Sequence, residues 1–257
     1  MEDSGCMKIS VLMPALNEAS NIEAAITSVL SSFDSLGING ELLVINDGST
    51  DATPELAAKA AALDRRVKVL NHKTPLGIGA SFWDGVDNAS GEAVVMLPGD
   101  NENDPLEIFR YRGLLDHVDA VIPFLYNPEV RSPARNALSF AYRAVINTSF
   151  MVLFKYTNGT VLYRRSILAG LPYRSTGFFF QTDILVRLAK AGYFFADVPY
   201  RLGRRKEGES KAVSFRALRQ VVCGYARLMA SLYFRGRAAA DYPENSQTFK
   251  RRGGANV

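Results

Sequence analysis

Four short apolar runs, at residues 8–13, 41–45, 67–70 and 92–97, alternate with three helical stretches in the first hundred residues. Apolar runs of this length, each separated by a helix, dictate parallel strands covered on both faces. Such sheets take ligands beyond the carboxyl ends of their strands. The polar clusters fall at those ends. Asn17-Glu18 follows the first run, Asn46-Asp47-Gly48-Ser49 the second, and Pro98-Gly99-Asp100-Asn101-Glu102 the fourth.

Helix signals fill the gaps. Asn17 or Ser20 is positioned to cap a helix to about residue 32, whose apolar face is Ile22, Ile26, Val29 and Leu30. Ser49 or Thr50 starts a second helix over residues 54–63, and a third ends near residue 89. Beyond residue 104 the pattern predicts a helix to about 115, a strand at 120–123, a helix at 137–154 and a strand at 161–163. A helix at 184–191, a strand at 194–199 and a long helix at 214–234 follow. In the last, Phe215, Leu218, Val222, Tyr225, Met229 and Leu232 form one apolar stripe, with arginines off it. From residue 235 the chain is polar and reads as a frayed tail.

At 257 residues, 47% hydrophobic and 22% charged, the chain has the composition of a globular protein with one sizeable core. The net charge is only +4, but Arg and Lys thicken in the C-terminal half, which points to an anionic partner. Two distant cysteines, Cys6 and Cys223, make no disulfide framework and no zinc spacing, which fits a reducing compartment. The N-terminus shows no basic segment followed by an apolar run, and no run of about 18 apolar residues is present to span a bilayer. The first strand lacks the Gly-x-Gly-x-x-Gly turn of dinucleotide-binding folds.

The series MPALNE (13–18), VINDGSTDAT (44–53), GIGAS (77–81), VLYRRSIL (161–168), GFFFQTDILVRLAKAGY (177–193) and RRKEGESK (204–211) resembles the family 2 glycosyltransferases. Within that family the order is most similar to the dolichyl- and polyprenyl-phosphate sugar transferases. The resemblance covers residues 8–212. It implies an α/β fold of the GT-A type: one domain at 1–212 with a mainly parallel sheet flanked by helices. Its nucleotide-binding half would be about 8–105 and its acceptor half 106–212, followed by the amphipathic helix and polar tail at 213–257.

The resemblance implies inverting transfer of one sugar from a UDP- or GDP-sugar to a polyprenyl phosphate. Pro14, Leu16, Glu18 and Asp47 would border the nucleoside, where carboxylate oxygens accept from base and ribose groups. The family's Asp-x-Asp after the fourth strand appears here with Pro98 in place of the first acid. Asp100 matches the second and Glu102 the later acidic position, so these two are the candidate ligands for Mg²⁺ or Mn²⁺. Arg135 and Ser139 match an Arg-x-x-x-Ser phosphate element, with four-residue spacing on one helical face. Arg131 is a neighbouring candidate, and Arg205 and Lys211 match the basic loop. Gln181 and Asp183 match a substrate-orienting and an acidic position, and Asp183 would be the base if the acceptor were a hydroxyl. His72 and His117 match no catalytic position.

The implied partners are a nucleotide-sugar, a polyprenyl phosphate and a membrane surface, with no nucleic acid and a homodimer left open. The implied location is cytoplasmic, peripheral on the inner face of the membrane. Two rival readings stay open at this point: transfer to a glycan hydroxyl, and a nucleotide-sugar-binding partner protein without turnover.

Overall fold

A computed structural model describes residues 7–171, 173–201, 215–234 and 242–252. Seven strands form one sheet: β1 (Ile9–Ala15), β2 (Gly40–Asn46), β3 (Val67–Asn71), β4 (Ala93–Met96), β5 (Ala120–Leu125), β6 (Leu162–Arg164) and β7 (Phe195–Tyr200). Their order is β3-β2-β1-β4-β6-β5-β7. Strands β1 to β4 run parallel, β6 runs antiparallel to β4 and β5, and β7 runs parallel to β5. The carboxyl ends of β1 to β5 and β7 therefore share one edge with the beginning of β6.

The helices are α1 (Ile22–Leu36), α2 (Thr53–Leu63), α3 (Ile78–Asn88), α4 (Pro105–Phe109), α5 (Pro133–Phe150), α6 (Arg165–Ala169), α7 (Phe180–Ala191), α8 (Phe215–Tyr233) and α9 (Gln247–Arg251). Every residue of β1 and β2 is buried, which is why these strands read as continuous apolar runs. Two cores result. One packs α1 and α4 on one face of the sheet, around Met13, Phe33, Val44 and Phe109. The other packs α3, α5, α7 and α8 on the opposite face, around Leu12, Phe82, Phe150 and Phe180.

Several boundaries differ from the sequence reading, each for a local reason. Helix α1 begins at Ile22, because Asn17 takes a left-handed conformation (φ 55°) and turns its side chain toward Thr50 instead of capping. Helix α2 begins at Thr53, because Asp51 rather than Ser49 or Thr50 accepts the Thr53 amide. Helix α5 starts four residues early, at Pro133, where Ser132 caps it by accepting from the Arg135 amide. Helix α7 likewise starts at Phe180.

The C-terminal segment departs most. Residues 242–252 are not frayed. Tyr242 is buried against Tyr193, and the carboxylate of Asp119 accepts from the amides of Gln247 and Thr248 and from the Thr248 hydroxyl. The stripe expected on the long helix is also divided. Tyr225, Met229 and Leu232 pack on the core together with buried Leu228, while Leu218 and Val222 face outward.

Candidate active site

The loops beyond β1 and β2 are laced together at the shared edge. The Asn17 amide donates to Ser49 Oγ (3.0 Å), and Asn17 Oδ1 accepts from the Thr50 amide (2.9 Å). The Glu18 amide donates to Thr53 Oγ1, and the Ala19 amide to Asp51 Oδ2. Asp51 also accepts from the Thr53 amide and hydroxyl. Burial pushes its carboxyl up, but these hydrogen bonds outweigh burial and leave it below the ordinary range. The Gly99 amide donates to the Pro14 carbonyl, which ties the loop after β4 to the end of β1.

The expected nucleoside-bordering residues divide. Leu16 and Glu18 sit half-buried on the rim, and Glu18 Oε2 accepts from Asn21 Nδ2 (2.9 Å). Pro14 is buried within β1, paired with Ile45 of β2. Asp47 turns inward. It is 4% exposed, and its carboxylate accepts from the amides of Leu76 (2.8 Å) and Gly77 (2.9 Å) and meets His72 Nδ1 (2.8 Å). His72 Nε2 reaches Asp84 at 2.8 Å. So Asp47 does not offer a free carboxylate to a base or ribose. It clamps the loop 72–77 against the turn after β2. Gly48 (φ 72°) shows how close that packing is, since a Cβ there would lie 2.7 Å from the Thr74 backbone.

At the other end of the edge lies a cavity of about 420 Å³, beyond β5. Arg131, Asn136, Ser139, Arg143, Lys155 and Tyr156 supply its polar wall, and Phe124, Leu125 and Phe140 its apolar one. The three cations are held by aromatic rings. The Arg131 guanidinium lies 5.5 Å from the Tyr156 ring centre, Arg143 5.4 Å from Phe140, and Lys155 Nζ 4.5 Å from Phe124. Arg143 also donates to the Lys155 carbonyl (2.7 Å). Arg131 Nε is buried with no hydrogen-bond partner among the described residues. A buried donor without a partner is costly, and an anion in the cavity would satisfy it.

The cavity lining includes the expected Arg131 and Ser139 and does not include Arg135. The face of α5 that lines the cavity is Asn136, Ser139, Phe140 and Arg143, a 3-4-7 spacing. Arg135 is exposed and is not among the residues that line the cavity. Arg143 and Lys155 are the cations that sequence reasoning missed, although the spacing from Ser139 to Arg143 was there to be read. Arg205 and Lys211 lie outside the described residues.

The family model of glycosyl transferase family 2 matches residues 10–180, which span every element from β1 through the start of α7. The chain belongs to glycosyl transferase family 2. It is 30% identical over 217 residues to the polyprenol monophosphomannose synthase of Mycolicibacterium smegmatis, covering 78% of this chain and 79% of that protein. It is 34% identical over 112 residues to the undecaprenyl-phosphate 4-deoxy-4-formamido-L-arabinose transferase of Aeromonas hydrophila, covering 43% of this chain and 34% of that longer protein. In fold it is similar to glucosyl-3-phosphoglycerate synthase of Mycobacterium tuberculosis in complex with UDP, with a TM-score of 0.69 at 22% identity over 87% of this chain and 80% of that one. The fold is thus of the GT-A type, and this glycosyltransferase is an enzyme.

In the family 2 transferase the loop after β4 carries Asp100 and Glu102 on one turn. Asp100 Oδ1 accepts from the Glu102 amide (3.1 Å), and Asn101 at φ 55° closes the turn. Asn103 Oδ1 accepts from the Tyr200 hydroxyl, which fixes the loop to the end of β7. Among the described residues, no group of three or more His, Cys, Asp or Glu side chains is arranged to hold a metal alone. Two carboxylates fit a hard divalent ion whose other ligands are phosphate oxygens and water.

The two expected acceptor-side residues on α7 take structural positions. Gln181 donates to the Gly159 carbonyl and holds the approach to β6 at the edge. Asp183 is 2% exposed and forms a 2.8 Å ion pair with Arg187, which in turn donates to Ser231 of α8. Burial pushes the Asp183 carboxyl up, against the charges of Arg187 and Arg227. A carboxylate closed off in this way is not presented to an acceptor hydroxyl. In this position Asp183 joins α7 to α8 through Arg187.

Proposed function

We propose that this enzyme transfers one sugar, with inversion, from a UDP- or GDP-sugar to a polyprenyl phosphate. The observation that carries the reading is the pocket with three ring-held cations, one of which has a buried Nε unpartnered among the described residues, on the same sheet edge as the donor loops. The M. smegmatis and A. hydrophila relatives, whose names specify polyprenol and undecaprenyl-phosphate substrates, support the same acceptor class.

The residues act in sequence along the edge. Leu16 and Glu18 receive the nucleoside, with the loop 72–77 held in place by Asp47. Asp100 and Glu102 would hold Mg²⁺ or Mn²⁺. When bound, the ion supplies charge neutralisation for the departing diphosphate. Arg131, Arg143, Lys155 and Ser139 hold the acceptor phosphate beside the donor despite their mutual repulsion. A phosphate oxygen attacks the anomeric carbon as the bond from that carbon to the diphosphate oxygen breaks. The diphosphate leaves with the bonding pair, and the configuration inverts. The nucleophile is already an anion, so no general base is required, which agrees with the closed environment of Asp183.

No helix among the described residues is long and apolar enough to cross a membrane. We place the enzyme on the cytoplasmic face of the membrane, as a peripheral protein where soluble donor and lipid acceptor meet.

The test is a panel of UDP- and GDP-sugars offered with polyprenyl phosphate, with and without Mn²⁺ or Mg²⁺, to wild type and Asp100→Ala. Metal-dependent label in the lipid extract, lost in the variant, is the expected result. Donor binding with no lipid product from any pair would overturn the acceptor assignment.

A further inference from the structure

We infer that α5, the segment 151–153 and the outer side of α8 form one face that docks on an anionic lipid bilayer. The inference rests on the lipid-phosphate reading only for its purpose; the face itself is read from exposure and charge. Among the described residues, eight of the fifteen exposed large apolar side chains lie on these three pieces, and a ninth, Phe234, follows α8 directly. On α5 they are Leu138, Phe140 and Val145, interspersed with exposed Ala134, Ala137, Ala141 and Ala144. Met151 ends α5 in a left-handed conformation (φ 50°), and after it exposure alternates, with Val152 and Phe154 buried while Met151 and Leu153 stand 81% and 88% exposed.

The pieces are continuous. The Tyr225 hydroxyl donates to Ser149 Oγ (2.8 Å), and the Tyr233 hydroxyl to the Ser149 carbonyl (2.7 Å), which locks α8 to the end of α5. From that joint the outer side of α8 presents Phe234, Tyr233 and Val222. Phe140, itself exposed, lines the cavity, so α5 carries both the pocket wall and the apolar side chains Leu138 and Val145.

Charge selects the occupant. Between Glu129 and Asp183 the sequence contains no acidic residue and seven Lys or Arg, and α8 contains none acidic either. Exposed Arg135, Lys155 and Arg219 lie on the same pieces of chain or next to them. A contiguous apolar face of this kind marks an interaction surface. Its single-sign rim fits anionic headgroups above acyl chains, whereas a second copy of this chain would bring cation against cation. Docked this way, the membrane would present a lipid phosphate at the pocket mouth, with the isoprenoid left in the bilayer.

The experiment compares wild type with the double variant Leu138→Asp, Leu153→Asp, two exposed positions outside the cavity. Co-sedimentation is measured with vesicles of phosphatidylcholine alone and of phosphatidylcholine mixed with phosphatidylglycerol. Wild type should bind the anionic vesicles and release with salt, and the variant should bind at least about tenfold more weakly. Turnover of short-chain, water-soluble farnesyl phosphate should be unchanged in the variant, while turnover of a long-chain acceptor in vesicles falls. Equal vesicle binding by wild type and variant would overturn the docking face. So would a wild-type dimer, indifferent to vesicles, that the substitutions convert to monomer. Vesicle binding without transfer to either acceptor would instead strike the acceptor reading and leave the face standing.

Discussion

The two ends of the sheet edge are built on opposite principles. At the donor end, polar groups satisfy one another. Asn17, Ser49, Thr50, Asp51 and Thr53 interlock, and Asp47 spends its carboxylate on His72 and two amides. At the acceptor end, Arg131, Arg143 and Lys155 gather without an acidic partner in the cavity, supported by rings and a carbonyl. The donor end is a scaffold already closed on itself. The proposed acceptor end is a positive socket in which the buried Arg131 Nε has no partner among the described residues. On the proposed reading, binding energy is stored in preorganised loops for the nucleotide and in ring-supported positive charge for the acceptor.

The largest effect should follow from emptying the socket. Arg131→Ala removes the guanidinium whose Nε is buried without a partner, and it should lower kcat/KM for a lipid phosphate by about 100-fold. Calorimetry should find donor affinity unchanged. Equal weakening of donor and acceptor would merge the two regions and break the comparison.

Asp183→Asn tests the joining role on α7. It leaves Arg187 buried and uncompensated, and should cost about 3–5 kcal/mol of stability by thermal or denaturant unfolding. The folded fraction, assayed well below its midpoint, should keep its kcat. A loss of several orders of magnitude in kcat with stability intact would restore Asp183 as a base.

At the donor end, Asp47→Asn keeps the shape but removes the charge that holds the amides of Leu76 and Gly77. Donor affinity should fall by roughly tenfold, with acceptor affinity unchanged. A loss of donor binding as complete as deletion of a direct ligand would return Asp47 to contact with the nucleoside.

The smallest effect is on pH dependence, at the opposite edge of the sheet. Glu41 is buried there, accepting from Ser10, Ser90 and Lys68. Burial pushes its carboxyl up, but Lys68, Ser10 and Ser90 outweigh it and bring it down from about 4.5 to about 2. Because the folded value is depressed, its stabilisation is whole above the ordinary value of 4.5. It is lost as pH falls from there toward 2. Glu41→Gln should flatten the unfolding free energy over that window and leave transfer near neutral pH alone. An identical acid limb in wild type and variant would contradict it.

The donor half was legible because its strands are buried on both faces, so apolar runs mark them and polar clusters mark their ends. Every strand from β1 to β7 lies where those runs placed it, within two residues. The acceptor pocket was only partly legible. Its cations come from the turn before α5, from α5 itself and from the loop after it, and no single spacing joins Arg131, Arg143 and Lys155. The four-residue spacing of Arg135 and Ser139 suggested a shared face, but the cavity wall follows Asn136, Ser139 and Arg143 instead. The docked tail was hidden for another reason. Thr248 and Gln247 look polar in sequence, and only the buried carboxylate of Asp119 shows what their amides satisfy.

The central claim is that the basic cavity holds the acceptor by its phosphate. The most direct measurement is calorimetric titration of farnesyl phosphate, and of uncharged farnesol, into the protein with UDP or GDP present, for wild type and the Arg131→Ala, Arg143→Ala double variant. The account predicts that wild type binds the phosphate and not the alcohol, that the double variant loses the phosphate, and that its nucleotide affinity stays the same. Equal binding of phosphate and alcohol by wild type, or phosphate binding that survives loss of both guanidinium groups, would contradict it.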